Sequence, residues 1–413
     1  MNQSKLSMPY LLVLFSVPFM RNAQDQLCVS LAWAKDLIEH ANYIENLTLI
    51  AYFSNETAPA DVVVIEQHPA LKNVRFVQMQ KPNSTAHAIR LLPSTMSVLW
   101  REVDRNQIIH SSVASWPIPE AWLILPILWF KKRFHFINVE SAFWRLPKGQ
   151  TPSFKEKVRA KIWEYLNQKC VQSADLSTFT QEDYKKTLLK NLQHKGYVIP
   201  ASWIDAEDIL ATSDLNALIA YKKKQLNTTI KLVFVGRLVH EKGIILLINA
   251  VSQLIDSGQS LSLDIYGDGN LKQACADLIT SNKKTNFIHL CGLVKYGADF
   301  FKLLQRYDLM VIPSLSDEQP RNVFDAFSQA LPVLSADTPG LRQCVSQQST
   351  GWFFKVGDIN DLKNHIISIN NNRQALLNMS INCVYTAQNM THKQMHMKRL
   401  GILQQSWTCY INQ

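Results

Sequence analysis

The chain has 413 residues, 47% hydrophobic and 18% charged, which is enough apolar material for two or three domain cores and excludes a disordered or low-complexity protein. Its 13 glycines and 16 prolines exclude collagen-like and linker-dominated chains. With 43 Lys/Arg against 33 Asp/Glu, the net charge of +10 favours an anionic partner, and the absence of a long basic tail argues against a nucleic-acid arm.

The first half reads as a noisy α/β pattern. Met8 to Met20 is apolar and follows Lys5, like a leader, but Arg21–Asn22 comes directly after it and no small-x-small cleavage site is present. It reads better as a strand, Tyr10 to Ser16, buried on both faces. Asp25 to Glu39 then reads as a helix, Leu47–Phe53 and Val62–Ile65 as strands, Ala86 to Leu99 as a helix and Gln107–His110 as a strand. Trp122 to Phe130 is a nine-residue apolar run, too short to cross a membrane, and reads as a buried helix ending at Lys131, Lys132 and Arg133. Phe134–Val139 reads as a strand and Phe154 to Val171 as a helix. A polar, Lys-rich stretch, Leu210 to Thr229, marks a boundary between about 198 and 228.

The second half alternates more regularly. Strands are expected at Lys231–Val235, Leu261–Tyr266, Phe287–Leu290, Leu309–Pro313, Pro332–Ser335 and Gly351–Phe354. Helices are expected at Gly243 to Asp256, Leu271 to Ser281, Asp299 to Arg306, Asn322 to Ala330 and after Asp358. That alternation predicts a parallel, doubly wound sheet, which binds ligands beyond the carboxyl ends of its strands.

Two of those strand ends carry chemistry. Gly236-Arg237-Leu238-Val239-His240-Glu241-Lys242-Gly243 offers a glycine for close backbone approach, a guanidinium fork and a lysine before a helix, all suited to phosphate oxygens. Pro313-Ser314-Leu315-Ser316-Asp317-Glu318-Gln319-Pro320-Arg321-Asn322-Val323-Phe324-Asp325 places Asp317 in a loop and Asp325 eight residues later on a helix. Such carboxylates accept hydrogen bonds from sugar hydroxyls, although Asp317 or Glu318 would equally serve as a helix cap.

Together, GRLVHEKG, IYGDG and PSLSDEQPRNVFDAFSQALPVLSADTPG resemble the nucleotide-sugar-binding half of retaining, family 4-type glycosyltransferases, the "glycosyl transferases group 1". The resemblance covers about residues 228–370. It implies a GT-B fold, in which two doubly wound Rossmann-like domains face each other across a cleft. Residues 1–205 would then bind the acceptor and 206–388 the nucleotide sugar, with 389–413 packing back on the first domain. Carried over by position, Arg237 and Lys242 would hold the donor diphosphate, and Gly236, Gln319, Asn322 and Val323 would line the donor site. Asp317 and Asp325 would occupy the family's two acidic positions, toward the transferred sugar and the ribose, each one methylene shorter than the usual Glu. No Asp-x-Asp occurs, so neither a metal nor another cofactor is expected.

The first half departs from the family. Phe15 to Asn22 holds no glycine where relatives carry a Gly-rich loop, and Glu140 stands where they often have a His. Glu140 would stabilise the reacting centre, orient an acceptor hydroxyl, or pair with Arg145. His110, Trp144 and Arg145 are further acceptor-side candidates, and Trp116 and Trp122 lie in the same half. Phe154 to Lys169 is a basic amphipathic stretch, either a solvated helix face or a contact for anionic lipid. The seven cysteines lack ligand spacing and read as reduced thiols of a cytosolic protein, with no zinc site.

The expected activity is transfer of a hexose-type sugar from a nucleoside diphosphate to a glycan or lipid-linked acceptor. It would serve bacterial cell-surface polysaccharide synthesis in the cytoplasm, or at the inner face of the plasma membrane. A non-catalytic nucleotide-sugar-binding partner and a nucleotide-sugar epimerase are the alternatives.

Overall fold

A computed structural model describes residues 5–57, 62–146 and 152–412. Its contacts divide the chain into two units: Met1–Arg145 with Ser153–Ile199 and His396–Gln413, and Leu146–Pro152 with Pro200–Met395.

The first unit runs β1 (Tyr10–Arg21), β2 (Leu27–Ser30), α1 (Leu31–Tyr43), β3 (Leu47–Thr57), β4 (Val62–Val64), β5 (Arg75–Gln80), α2 (Thr85–Arg105), β6 (Ile108–Ser112), α3 (Glu120–Phe130), β7 (Phe134–Val139), α4 (Phe154–Ser173), β8 (Leu176–Phe179), α5 (Glu182–Leu189) and β9 (Gly196–Val198). β1 is central, paired in parallel with both β3 and β6. β5 extends the sheet beyond β3, and β7, β8 and β9 extend it beyond β6. The apolar run of β1 follows from this position. Leu11, Val13 and Phe15 pack with Leu99, Val103, Ile124 and Ile127 of α2 and α3, while Tyr10 and Leu12 serve the opposite core with Ala34 and Leu37 of α1.

Three expectations need correction here. The strand does not end near Ser16 but continues to Arg21, and Asp25 to Ser30 is not helical. Asn22 makes a turn instead, its Oδ1 accepting from the amides of Gln24 and Gln26, so that Leu27–Ser30 returns antiparallel to the end of β1. The run Trp122 to Phe130 is buried only in part: Ile124 and Ile127 are fully enclosed, while Trp129 and Phe130 are exposed.

The second unit begins with α6 (Thr212–Lys224), a helix where the sequence showed only a polar stretch. Its Lys222 turns inward and donates to the Tyr307 carbonyl at 2.5 Å. Then come β10 (Ile230–Val235), α7 (Ile244–Asp256), β11 (Leu261–Tyr266), α8 (Lys272–Ser281), β12 (Ile288–Gly292), α9 (Ala298–Leu304), β13 (Leu309–Ile312), α10 (Asn322–Ser328), β14 (Val333–Ala336), α11 (Pro339–Arg342), β15 (Gly351–Phe354), α12 (Ile359–Asn371) and α13 (Gln374–Gln388). The six strands are parallel in the order β12-β11-β10-β13-β14-β15. In this doubly wound order the connections reverse direction between β10 and β13, which opens a ligand crevice at their carboxyl ends.

The last helix, α14 (His392–Ile411), belongs with the first unit from His396 onward. There Leu400 and Leu403 join the core beneath β1, and Trp407 and Tyr410 meet Phe134 edge-on at 5.7 and 5.3 Å. No helix among the described residues is long and apolar enough to cross a membrane, and all seven cysteines are free thiols.

Candidate active site

The reversal between β10 and β13 joins the two strand ends that the sequence singled out. β10 passes through Gly236 into the loop carrying Arg237 and Lys242, and β13 runs on into the loop carrying Asp317 and Glu318. The Leu315 amide donates to the Glu241 carbonyl at 2.8 Å, tying one loop to the other. Gly243 has φ +68°, and a Cβ there would lie 1.9 Å from the Pro313 carbonyl oxygen, so only glycine lets the loops approach this closely. A Cβ on Gly267 would likewise lie 1.8 Å from the Gly236 oxygen, and on Gly340 within 2.7 Å of the Asp317–Glu318 backbone.

Charge concentrates at this junction. Arg237 is exposed, whereas Lys242 is largely enclosed with its Nζ 3.8 Å from Glu318 Oε2. Burial lowers the Lys242 pKa, Glu318 opposes the fall and Arg237 adds to it. Lys242 therefore senses a second cation, and a bound anion would relieve that repulsion. Asn322 opens α10 and donates from Nδ2 to the last carbonyl of β10, Val235, at 2.7 Å. Its Oδ1 is buried without a hydrogen-bond partner. Val323 is fully buried, so it would offer a ligand only its backbone.

Asp325 is buried on α10 and accepts from the Tyr296 hydroxyl at 3.0 Å. Burial and this carboxylate raise the Tyr296 pKa, which keeps the phenol a donor. Gln319 behaves differently from the expectation of a donor contact. Its amide accepts from Ala201 N at 2.7 Å and donates to Ala201 O at 2.8 Å, so both polar atoms pin the Ala201 backbone.

The first-unit candidates separate. Glu140 is exposed just past β7, where its Oε1 accepts from Asn138 Nδ2 at 3.0 Å. His110 is sealed in the core, its ring stacked 4.1 Å from Phe136 and its Nδ1 2.9 Å from the Tyr10 hydroxyl. Burial holds its pKa well below the usual histidine range, with His40 and Arg399 pushing the same way. Its place on an internal strand removes it as an acceptor contact. Trp144 is also buried and donates to Glu164 at 2.7 Å. Arg145 donates to Glu164, Asp183 and Thr187, with shortest distances of 2.8, 2.9 and 2.6 Å. These two residues lock the loop after β7 onto α4 and α5, so their polar atoms are committed to the scaffold.

Three residues escaped sequence reasoning. Glu318 stood inside the motif but read only as a cap, and Tyr296 carried no motif. Glu120 had a signal, an acid opening an apolar run. It is fully buried at the start of α3, facing the backbone of Phe15 and Ser112 and the Ser115 hydroxyl, yet no hydrogen bond closes on either carboxyl oxygen. Burial pushes its pKa up to about 8.

This chain resembles known proteins in sequence and in fold. Residues 219–389 match the family model of glycosyl transferases group 1, which encloses the whole β10–β13 junction. The uncharacterized glycosyltransferase MJ1059 of Methanocaldococcus jannaschii is 28% identical over 222 residues, 52% of each chain. Alpha-monoglucosyldiacylglycerol synthase of Acholeplasma laidlawii is 25% identical over 235 residues, covering 56% of this chain and 57% of that one. The alignments thus span little more than half the length of these curated relatives. Anabaena Alr3699/HepE, solved with UDP and glucose, superposes with a TM-score of 0.65 at 15% identity, over 96% of this chain and 99% of that one. The chain therefore has the GT-B fold, and its residues 219–389 match the glycosyl transferases group 1.

Proposed function

We propose that this protein is a retaining, metal-independent glycosyltransferase that moves a hexose-type sugar from a nucleoside diphosphate to a hydroxyl of a glycan or lipid-linked acceptor. The supporting observation is the junction itself: Arg237 and Lys242 stand on a loop bonded to the one that carries Asp317 and Glu318, where the sheet order opens a ligand crevice. HepE, which shares the fold, binds UDP and glucose.

The chemistry follows from charge. Breaking the sugar–phosphate bond leaves negative charge on the departing diphosphate. Two cations stabilise that charge as it forms. Asp317 would orient the sugar and Asp325 the ribose, with Tyr296 holding the Asp325 carboxylate in place. Binding divides between the units, with the donor on the second and the acceptor on the first, where Glu140 is the exposed strand-end carboxylate. A role in cell-surface polysaccharide synthesis places the protein in the cytoplasm. A lipid-linked acceptor would further require work at the inner membrane surface, and the basic α4 supplies charge for that contact.

The deciding experiment incubates the protein with a panel of nucleoside diphosphate sugars and follows nucleoside diphosphate release with water as acceptor. Slow release from one donor is expected, falling about 100-fold in Arg237→Ala with an unchanged melting temperature, because removing one fixed donor from a charge-stabilising site typically costs that much. Release from no donor, or equal rates in the variant, would overturn the assignment. Sugar interconversion without release would identify an epimerase.

A further inference from the structure

Helix α4 begins without cover. Every residue from Phe154 to Arg159 is exposed, and only from Trp163 onward does the helix bury a face, formed by Trp163, Asn167, Cys170 and Val171. Opposite that face, Phe154, Val158, Ile162 and Tyr165 form one row at helical spacing, with exposures of 81, 40, 52 and 58%. A helix that met only water would carry polar residues there.

The row is framed by positive charge. Lys157 and Lys161 run along one edge, and Lys155 and Arg159 along the other. Lys169 follows at the end, its Nζ 5.5 Å over the Tyr165 ring. The two acids of the helix are occupied elsewhere: Glu156 closes a capping box with Ser153, and Glu164 binds Trp144 and Arg145.

Topology fixes where this face lies. α4 follows β7 in a parallel sheet, so its first turns stand at the carboxyl ends of the strands, the end where open α/β sheets bind ligands. Trp116 after β6 and Phe143 after β7 are exposed at the same end, and both rings rest against Trp163, at 6.5 and 5.3 Å.

We infer that this face of α4 docks the protein on an anionic lipid surface. Phe154, Val158 and Ile162 enter the acyl boundary, and Lys155, Lys157, Arg159 and Lys161 meet the headgroups. Such a surface uses both features. A nucleic acid would leave the apolar row bare, and a two-fold contact with a second copy would set lysine rows against lysine rows. The inference rests on the proposed membrane-surface setting for its use, but not on the transferase chemistry.

The test sediments the full chain with phosphatidylcholine vesicles containing about one-third phosphatidylglycerol or none. Binding is expected to the anionic vesicles, weakened by salt and much lower on the neutral ones. Val158→Glu/Ile162→Glu should reduce it about tenfold or more, as should Lys155→Ser/Lys157→Ser/Lys161→Ser. Trp129→Glu, at the far end of the sheet, should bind like the parent. The inference fails if the parent ignores anionic vesicles, if both α4 variants bind as well as the parent, or if Trp129→Glu alone abolishes binding. It also fails if sedimentation shows a dimer that the α4 substitutions dissolve. Donor turnover is measured alongside. Vesicle binding lost with turnover kept isolates the docking face, and the reverse strikes the transferase reading alone.

Discussion

At the scale of single residues, the protein keeps two kinds of charge. Lys242 is enclosed, and Glu318 within 3.8 Å opposes the fall that burial imposes on its pKa. Glu120 has no such partner: its carboxyl is fully buried, and its pKa rises from 4.5 to about 8 because water is excluded. The sign follows from proton binding. The folded chain holds the Glu120 proton more tightly than the unfolded chain, so this contribution to stability is fully present below pH 4.5 and is lost as pH rises toward 8. Near pH 7 the cost is roughly 3 kcal/mol, since a tenfold change in proton affinity is worth about 1.4 kcal/mol. Glu120→Gln keeps the shape and removes the titration. Its melting temperature should exceed the parent's at pH 7–8 and converge with it near pH 5. Parallel melting curves across that range would show that Glu120 is not titrating in the folded chain.

At the scale of elements, the site depends on how closely two loops pass. Arg237 and Lys242 are useful only if the loop after β10 lies against the loop after β13, and Gly243 sets that spacing. Gly243→Ala would add a methyl 1.9 Å from a backbone oxygen at φ +68°. We expect it to destabilise the second unit by about 2 kcal/mol or more, and to lower nucleoside diphosphate release even where the protein is folded. A urea midpoint equal to the parent's would contradict the close approach. In the first unit, β1 runs on to Arg21 and turns back into β2. Asn22 makes the turn with two side-chain hydrogen bonds, which explains why this connection needs no glycine.

At the scale of the whole molecule, the chain end is structural. From His396 onward α14 completes the first unit, with Leu400 and Leu403 almost fully buried. His396, at 3.0 Å from Asp36, and Arg399, against His40, bring polar groups into the same interface. Deleting residues 396–413 should uncover Phe134 and lower the first unit's melting transition by several degrees or more, with gain of hydrophobic-dye binding, because each large apolar side chain contributes about 1.5–3 kcal/mol when buried. An unshifted transition would show that α14 is dispensable. Local pattern was enough to reveal much of the rest. The apolar run of β1, the alternation after Lys231 and the residues at two strand ends were all legible, because strand periodicity, helix periodicity and turn chemistry are written within a few residues. Side-chain fate was not. His110, Trp144, Arg145 and Gln319 carried the right chemistry for ligand contacts, but neighbours distant in sequence bury them or claim their polar atoms. Sequence by itself determined which strand ends carry cations and carboxylates; only the tertiary structure made β10 and β13 neighbours, since parallel pairing across two intervening strands is set by sheet order and packing rather than by adjacent residues.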